Sequence, residues 1–424
     1  MGRVYDVAVL GAGVARLTAA YRLKGRDVVV LEAEDHIGGR TLSKRFDDGS
    51  WANYAAQYVS TDKVKVVELA DELGVDLVPS GFHSDELRGN RGSVEERAEI
   101  DRWVARLEAE MANPRPATAP ELDGISVGAW LGDAPEHVHA FFERWCGQLI
   151  FASTIETSLY GLMLLWGDQR TSAFTVDAVP RSNRGDTVFD GGTNSFTHAL
   201  AQASGAELRS GHHVTAVARG AAGWVVTASS EEGEHTVHAR QVICALPAPV
   251  ALSVIAGLPA AKADALGAIR YGRNIATPIA VLPDGARGSI EPTAPSRAGA
   301  IYNTTGFVLK TPGDIARDGG CFHAYVHDGH ARVIWDDPPE SIRSGALRAF
   351  AAHHPELAGR VHWIGFRRWE HALPQYRPGR QALQGDLETS LDGLHFCGDY
   401  VTTANMDGAA RSGEAAAAKA LAAL

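Results

Sequence analysis

Two short clusters of residues in this chain have the types and spacing to bind a nucleotide, and a third cluster of glycine and acid stands far from them in sequence. The first is Gly11-Ala12-Gly13, set between the apolar run Val7 to Leu10 and the apolar-periodic segment Val14 to Leu23. Bare glycine backbones let an anion approach a helix N-terminus, where unpaired N–H groups and the helix dipole favour negative charge. A second apolar run, Val28 to Leu31, ends on the carboxylate of Glu32. That acid stands roughly 20 residues beyond the glycine turn, the separation at which it accepts hydrogen bonds from an adenosine ribose. The second cluster, Gly38-Gly39-Arg40, offers backbone N–H groups and a guanidinium to the same pyrophosphate. The third lies near the other end of the chain, where Gly398-Asp399-Tyr400 leads to Met406-Asp407-Gly408-Ala409 and an alanine-rich helix.

Strand, glycine turn, helix, strand and acid in that order predict a parallel α/β sheet with buried central strands. One residue breaks the turn's pattern. A third glycine is expected at position 16, where helix and strand pack closely, and Arg16 stands there. The favoured expectation is that the helix moves slightly outward and Arg16 runs to solvent. The other reading takes its guanidinium to the pyrophosphate or to nearby carboxylates.

Taken together, the clusters resemble the FAD-dependent amine oxidase superfamily, which includes monoamine oxidases, protoporphyrinogen oxidases and phytoene-desaturase-like enzymes. The resemblance implies an α/β protein with a Rossmann-type FAD-binding domain interleaved with an α+β substrate domain. It implies non-covalent FAD held by Gly11, Gly13, Glu32, Ala33, Gly38, Gly39, Arg40, Val214, Gly398, Asp399, Met406 and Ala409. Residues 1–79, 187–270 and 385–424 would form the FAD-binding domain. Residues 80–186 would supply the helical part of the substrate domain, and 271–384 its sheet, read as alternating strands and turns.

Trp51 to Val59 is similar to the family segment that passes beside the flavin ring, which places Gln57 there and puts Ala55 where glycine is usual. Trp369 to Gly379 is similar to a protoporphyrinogen oxidase segment. Trp369, Tyr376, Asn405 and Gln57 are therefore the candidate catalytic residues. Phe151, Tyr160, Met163, Trp166 and Tyr302 join Trp369 and Tyr376 as candidate cavity walls. The family's lysine near the flavin aligns with Thr277, and its second substrate-facing aromatic with Asn405. Its flavin attachment site falls near Pro374 and Gln375, so no cysteine linkage is expected.

A flavin carries its own electrophile and needs neither a nucleophilic triad nor a metal. The implied reaction removes hydride from a carbon of a small or medium apolar substrate, giving C=C or C=N, with O2 reoxidising the flavin and H2O2 released. An amine or amino-acid oxidase proper is the alternative, and a non-redox isomerase or inactive flavoprotein the second alternative.

Composition narrows the partners. A chain of 424 residues can fill two domains, and its net charge of −11 argues against nucleic acid or an anionic membrane. The four cysteines show no Cys-x-x-Cys spacing and read as reduced thiols of a cytoplasmic protein. The 17 histidines are scattered along the chain and no metal is expected. No apolar stretch reaches the roughly 18–20 residues of a membrane span, and the first strand follows Met1 too closely for a signal peptide. The partner is a small-molecule substrate, and the oligomeric state stays open.

Overall fold

A computed structural model describes residues 3–60, 64–79, 92–112, 120–166, 186–221, 223–297, 317–323 and 325–424. Among the sequence expectations, Tyr302 and residues 80–91 lie outside the described residues. The strand Val4–Leu10 is the middle of a seven-stranded sheet, parallel to Val28–Leu31 on one side and to Gly233–Cys244 on the other. Val7, Ala8, Val9 and Leu10 are wholly buried, which is why that segment reads as a continuous apolar run with no alternation.

Gly233–Cys244 pairs in two directions. Its first half joins an antiparallel meander with Gly223–Ser230 and His213–Gly220, and its last residues run parallel to Leu394–Phe396. Glu207–Arg209 extends the sheet beyond Val28–Leu31. Three helices, Val14–Arg22, Asn194–Ser204 and Met406–Ala422, share a core with one face of the sheet. The opposite face packs on the meander and on Ala248–Val254 and Ala260–Ala268. This is a Rossmann-type α/β arrangement, with its loops gathered at the carboxyl ends of the parallel strands.

A helical layer and antiparallel sheets complete the described structure. The helix Val94–Met111 opens with a capping box, in which Ser93 Oγ accepts from Glu96 N–H and the Glu96 carboxylate accepts from Ser93 N–H. It packs with Glu136–Leu149 and Leu159–Trp166 around Trp145 and Trp166, whose ring centroids are 4.8 Å apart. Tyr271–Ala276 lies between Tyr325–His327 and Arg367–Pro374 in one antiparallel sheet, and Ile279–Val281 lies between Gly320–Phe322 and Val361–Ile364 in another. The expected run of strands and turns is interrupted by two helices, Asp328–Val333 and Pro339–His353. Proline at the start of the second fixes a helical φ where no N–H is needed, and Leu347 and Phe350 bury its inner face against the sheet. Among the described residues no helix is long and apolar enough to cross a membrane. All four cysteines are buried free thiols.

The C-terminal helix crosses the first helix at very short range. A Cβ placed on Gly413 would stand 1.9 Å from the carbonyl oxygen of Ala15. Gly413→Ala should therefore destabilise the fold by ~1–3 kcal/mol, the usual cost of overpacking, measured as a lower urea midpoint. An unchanged midpoint would mean the two helices can part without cost.

Candidate flavin and substrate cavity

A cavity of about 680 Å³ opens where the parallel strands end. Every residue expected to hold the cofactor lines it: Gly11, Gly13, Glu32 and Ala33, then Gly38, Gly39, Arg40 and Val214, and finally Gly398, Asp399, Met406 and Ala409. Their convergence follows from topology, because each segment leaves the carboxyl end of a neighbouring strand or begins the helix beyond it. Glu32 is fixed by two backbone donors, Ala12 N–H at 2.6 Å and Glu34 N–H at 3.1 Å. Arg40 donates to Asp399 at 2.6 Å and to the Ala372 carbonyl at 2.7 Å. Gly398 N–H donates to Ser412 Oγ at 2.9 Å, which ties the C-terminal loop to the last helix.

Arg16 does not run to solvent. Its guanidinium folds back over the glycine turn and donates to the Ala245 carbonyl. A Cβ on Gly11 would stand 2.6 Å from its carbon, and one on Gly13 would stand 3.1 Å from a terminal nitrogen. The helix starts at Val14 beside this group, so an aliphatic stem leaving position 16 meets bare glycine backbone and has room to turn inward.

The candidate catalytic residues divide. Gln57, Trp369 and Asn405 line the cavity, whereas Tyr376 does not. Tyr376 lies past the end of the strand Arg367–Pro374 and packs in the aromatic helical core. Its hydroxyl is held between the Thr402 carbonyl at 3.0 Å and Ala404 N–H at 2.9 Å. Of the other expected walls Phe151 lines the cavity, while Tyr160, Met163 and Trp166 belong to the same helical core. Thr277 lies beyond its strand and is buried away from the cavity; Tyr271 and Asn274 of that strand face it instead.

Strand register explains the aromatic wall. Asn274 stands opposite Trp369, and Ala276 opposite both Tyr325 and Arg367, so these side chains share one face of the sheet. Trp369 is steadied by an N–H donated to the Tyr54 carbonyl at 3.3 Å and by Arg367, 4.9 Å from its ring centre. Two residues that the sequence left unmarked sit alongside. His323 Nδ1 lies 2.9 Å from Gln57 Nε2, and its ring is tilted at 41° to Tyr325 with centroids 4.9 Å apart. Burial drives its pKa down to about 4, so the ring is neutral at pH 7.

Asn405 proves to be the N-cap of the last helix, its Oδ1 accepting from Gly408 N–H at 2.8 Å. Metal-type ligands converge at Glu34, Asp35 and His36, but these are committed elsewhere: Glu34 pairs with Arg367 at 2.7 Å and Asp35 with His36 at 2.8 Å.

A Rossmann-type sheet with a large cavity at the carboxyl ends of its parallel strands, walled on one side by an antiparallel sheet, has the architecture of a nucleotide-dependent oxidoreductase. The chain belongs to the family of flavin containing amine oxidoreductases, whose profile matches residues 15–421. It is 26% identical to a flavin-dependent L-tryptophan oxidase of Lentzea aerocolonigenes, over 97% of this chain and 96% of that one. It is 35% identical to a putrescine oxidase of Kocuria rosea over a shorter stretch, 30% of each chain. In fold it is similar to wild-type putrescine oxidase solved with putrescine bound, at a TM-score of 0.74 and 21% identity over 99% of both chains. The family's cofactor is a flavin, and the cavity fits it: an acid held ready by two N–H groups, an open helix start and a long apolar wall.

Two outcomes follow. The neutral ring of His323 stays unprotonated until about pH 4 in the fold, whereas an unfolded histidine takes a proton near 6.5. Its contribution to stability is complete above pH 6.5 and is lost as pH falls toward 4. Urea titrations at pH 7, 6 and 5 should show this slope, and His323→Asn should flatten it. Asn405→Ala should cost ~1 kcal/mol through loss of the cap, read in the same assay.

Proposed function

We propose that the protein binds FAD non-covalently and oxidises a small or medium apolar amine at the carbon beside nitrogen, giving C=N, with O2 as acceptor and H2O2 as product. The observation that carries this reading is the character of the cavity beyond the cofactor segments. Trp369, Tyr325 and Phe151 supply aromatic walls with the uncharged His323, Gln57 and Asn274 between them, and the charged Arg367 and Glu370 beside them are each paired, Arg367 with Glu34 at 2.7 Å and Glu370 with Arg273 at 3.0 Å. The named activities of the relatives, oxidation of tryptophan and of putrescine, support an amine nitrogen next to the reacting carbon. Residues 1–79, 187–270 and 385–424 would bind FAD, and 80–186 with 271–384 would enclose the substrate.

The bound flavin supplies the hydride acceptor. What this chain must do is place the substrate C–H, keep water out, and hold the nitrogen in its neutral form. A protonated amine has no lone pair to support the developing C=N bond. An apolar cavity lowers the pKa of a bound ammonium group, and aromatic faces hold the substrate without giving it a counter-ion. His323 and Gln57 offer neutral hydrogen-bonding atoms that can orient the nitrogen or a water. The proton lost from nitrogen leaves to solvent. No thiol stands at Pro374 or Gln375, and Gln375 donates instead to the Phe151 carbonyl at 2.6 Å, which supports a non-covalent cofactor.

Carbon–carbon oxidation is the second reading, favoured by one feature: Asn405 is engaged in capping a helix where the family's second aromatic would stand. One experiment separates the two. Apolar primary and secondary amines, amino acids and polyenes are mixed with the yellow protein without oxygen, and the flavin band near about 450 nm is followed. Bleaching by amines supports the proposal, and bleaching by polyenes alone transfers it to the second reading. No bleaching by either, beside ready reduction by dithionite, would leave a non-redox flavoprotein. Trp369→Ala should lower kcat/KM by up to ~100-fold through misplacement of the substrate, with the flavin still bound. Acid precipitation should release FAD into the supernatant.

A further inference from the structure

Arg16 is a cation without an anion. Its hydrogen-bond partner is a carbonyl, Ala245, and its Nε is buried with no partner among the described residues. No carboxylate among the described residues pairs with it. Glu32 is occupied by Ala12 and Glu34, and Asp399 is taken by Arg40. The remaining ionisable neighbours are uncharged at pH 7: burial pushes the thiols of Cys244 and Cys397 up to about 11 and about 12, and raises the phenols of Tyr271 and Tyr400.

The same space receives a second positive end. The helix Val14–Arg22 begins on Gly13 with no side-chain cap and no acidic residue in its first turn. Its open N–H groups and the positive end of its dipole therefore point where the guanidinium lies. Two uncompensated positive groups side by side in a cavity raise its free energy until an anion arrives. The nearby Glu32 is an acceptor suited to ribose hydroxyls, so the anion that fits is the diphosphate of a nucleotide.

We propose that Arg16, standing where the glycine-rich turn of this fold ordinarily has glycine, is a diphosphate ligand of this protein's dinucleotide site. The guanidinium keeps its bond to Ala245 and offers its remaining N–H groups to the phosphates, so the residue supplies charge where a glycine supplies only space. This rests on the FAD reading above and adds to it a binding residue on the glycine turn.

The test compares wild type with Arg16→Gln, Arg16→Lys and Arg16→Gly as full-length flavin-free protein, titrated with FAD, ADP and riboflavin. Riboflavin has no phosphate and reports the rest of the cavity. The expected result is that Arg16→Gln and Arg16→Gly weaken FAD and ADP by ~10–100-fold, the range of a charge-assisted hydrogen bond, with riboflavin changed less than about twofold. Arg16→Lys should recover part of the loss, because the charge remains while the planar fork does not. Without ligand the glutamine variant should melt no lower than wild type, since an unpaired cation has been removed. Tighter or unchanged FAD binding in the variants would overturn the proposal and make Arg16 an obstruction. Equal weakening of FAD and riboflavin would also overturn it, by showing a purely structural role. A wild type that binds riboflavin but neither FAD nor ADP would remove the FAD reading itself.

Discussion

The ion pair between Arg40 and Asp399 holds this site together. Arg40 also donates to the backbone of Ala372, so one guanidinium joins the N-terminal nucleotide segment, a strand of the antiparallel sheet and the C-terminal loop. The pair is asymmetric: the Asp399 side chain is 6% exposed and that of Arg40 is 37% exposed. A nearly buried carboxylate is costly unless paired, so Asp399 demands Arg40 more than the reverse. Arg40 keeps an open side toward the cavity. The arrangement anchors the loop Gly398–Tyr400 whether or not a ligand is present, and leaves the guanidinium able to share its charge with a phosphate.

The start of the last helix shows how few residues can serve several constraints. Asn405 caps its own helix and lines the cavity, while Asp407 two residues later caps a different one. Asp407 Oδ1 accepts from Lys65 and Val66 N–H at 2.8 and 3.1 Å, the first-turn donors of Val64–Leu73, and its other oxygen pairs with Arg411 at 2.9 Å. Its carboxylate is thus satisfied from three sides although the residue is buried. A segment that looks from its motif like a cofactor contact is equally a junction between helices.

The parts of the fold that were legible are those set by local pattern. The run from Val7 to Glu32 reads directly because strand, turn and helix each leave a short-range signature, and the capping box at Ser93 does so for the same reason. The cofactor segments could be gathered from afar only through their resemblance to a family. What escaped depends on pairing between distant strands. Tyr325 faces the cavity because of its register with Tyr271–Ala276, and His323 because it lies between the strands Gly320–Phe322 and Tyr325–His327 of two different sheets. Tyr376 has the same composition cue as Trp369 but lies beyond the strand's end, where the chain turns into the helical core. The helix Pro339–His353 was hidden inside a region read as sheet. The inward course of Arg16 was misjudged because room for its side chain comes from the glycines it faces.

Charge is unevenly distributed along the cavity, and this constrains what can enter and how. Arg16, Arg40 and the open helix start make the end near the parallel strands positive, with Glu32 set beyond them as an acceptor. The end formed by Trp369, Tyr325, Phe151 and His323 is aromatic; burial keeps the His323 ring neutral at pH 7, and the charged Arg367 and Glu370 at its edge are paired with Glu34 and Arg273. A ligand carrying phosphates at one end and an uncharged ring at the other is favoured with its phosphates beside Arg16, Arg40 and the open helix start. Reversal would place the anion near Arg367, which Glu34 already neutralises, and leave Arg16 without an anion. The same gradient acts on the second ligand. On the amine reading proposed above, a cationic substrate would be repelled from the nucleotide end and would meet carboxylates that are already paired, Glu370 with Arg273 at 3.0 Å and Asp407 with Arg411 at 2.9 Å, so it would gain by losing its proton as it enters.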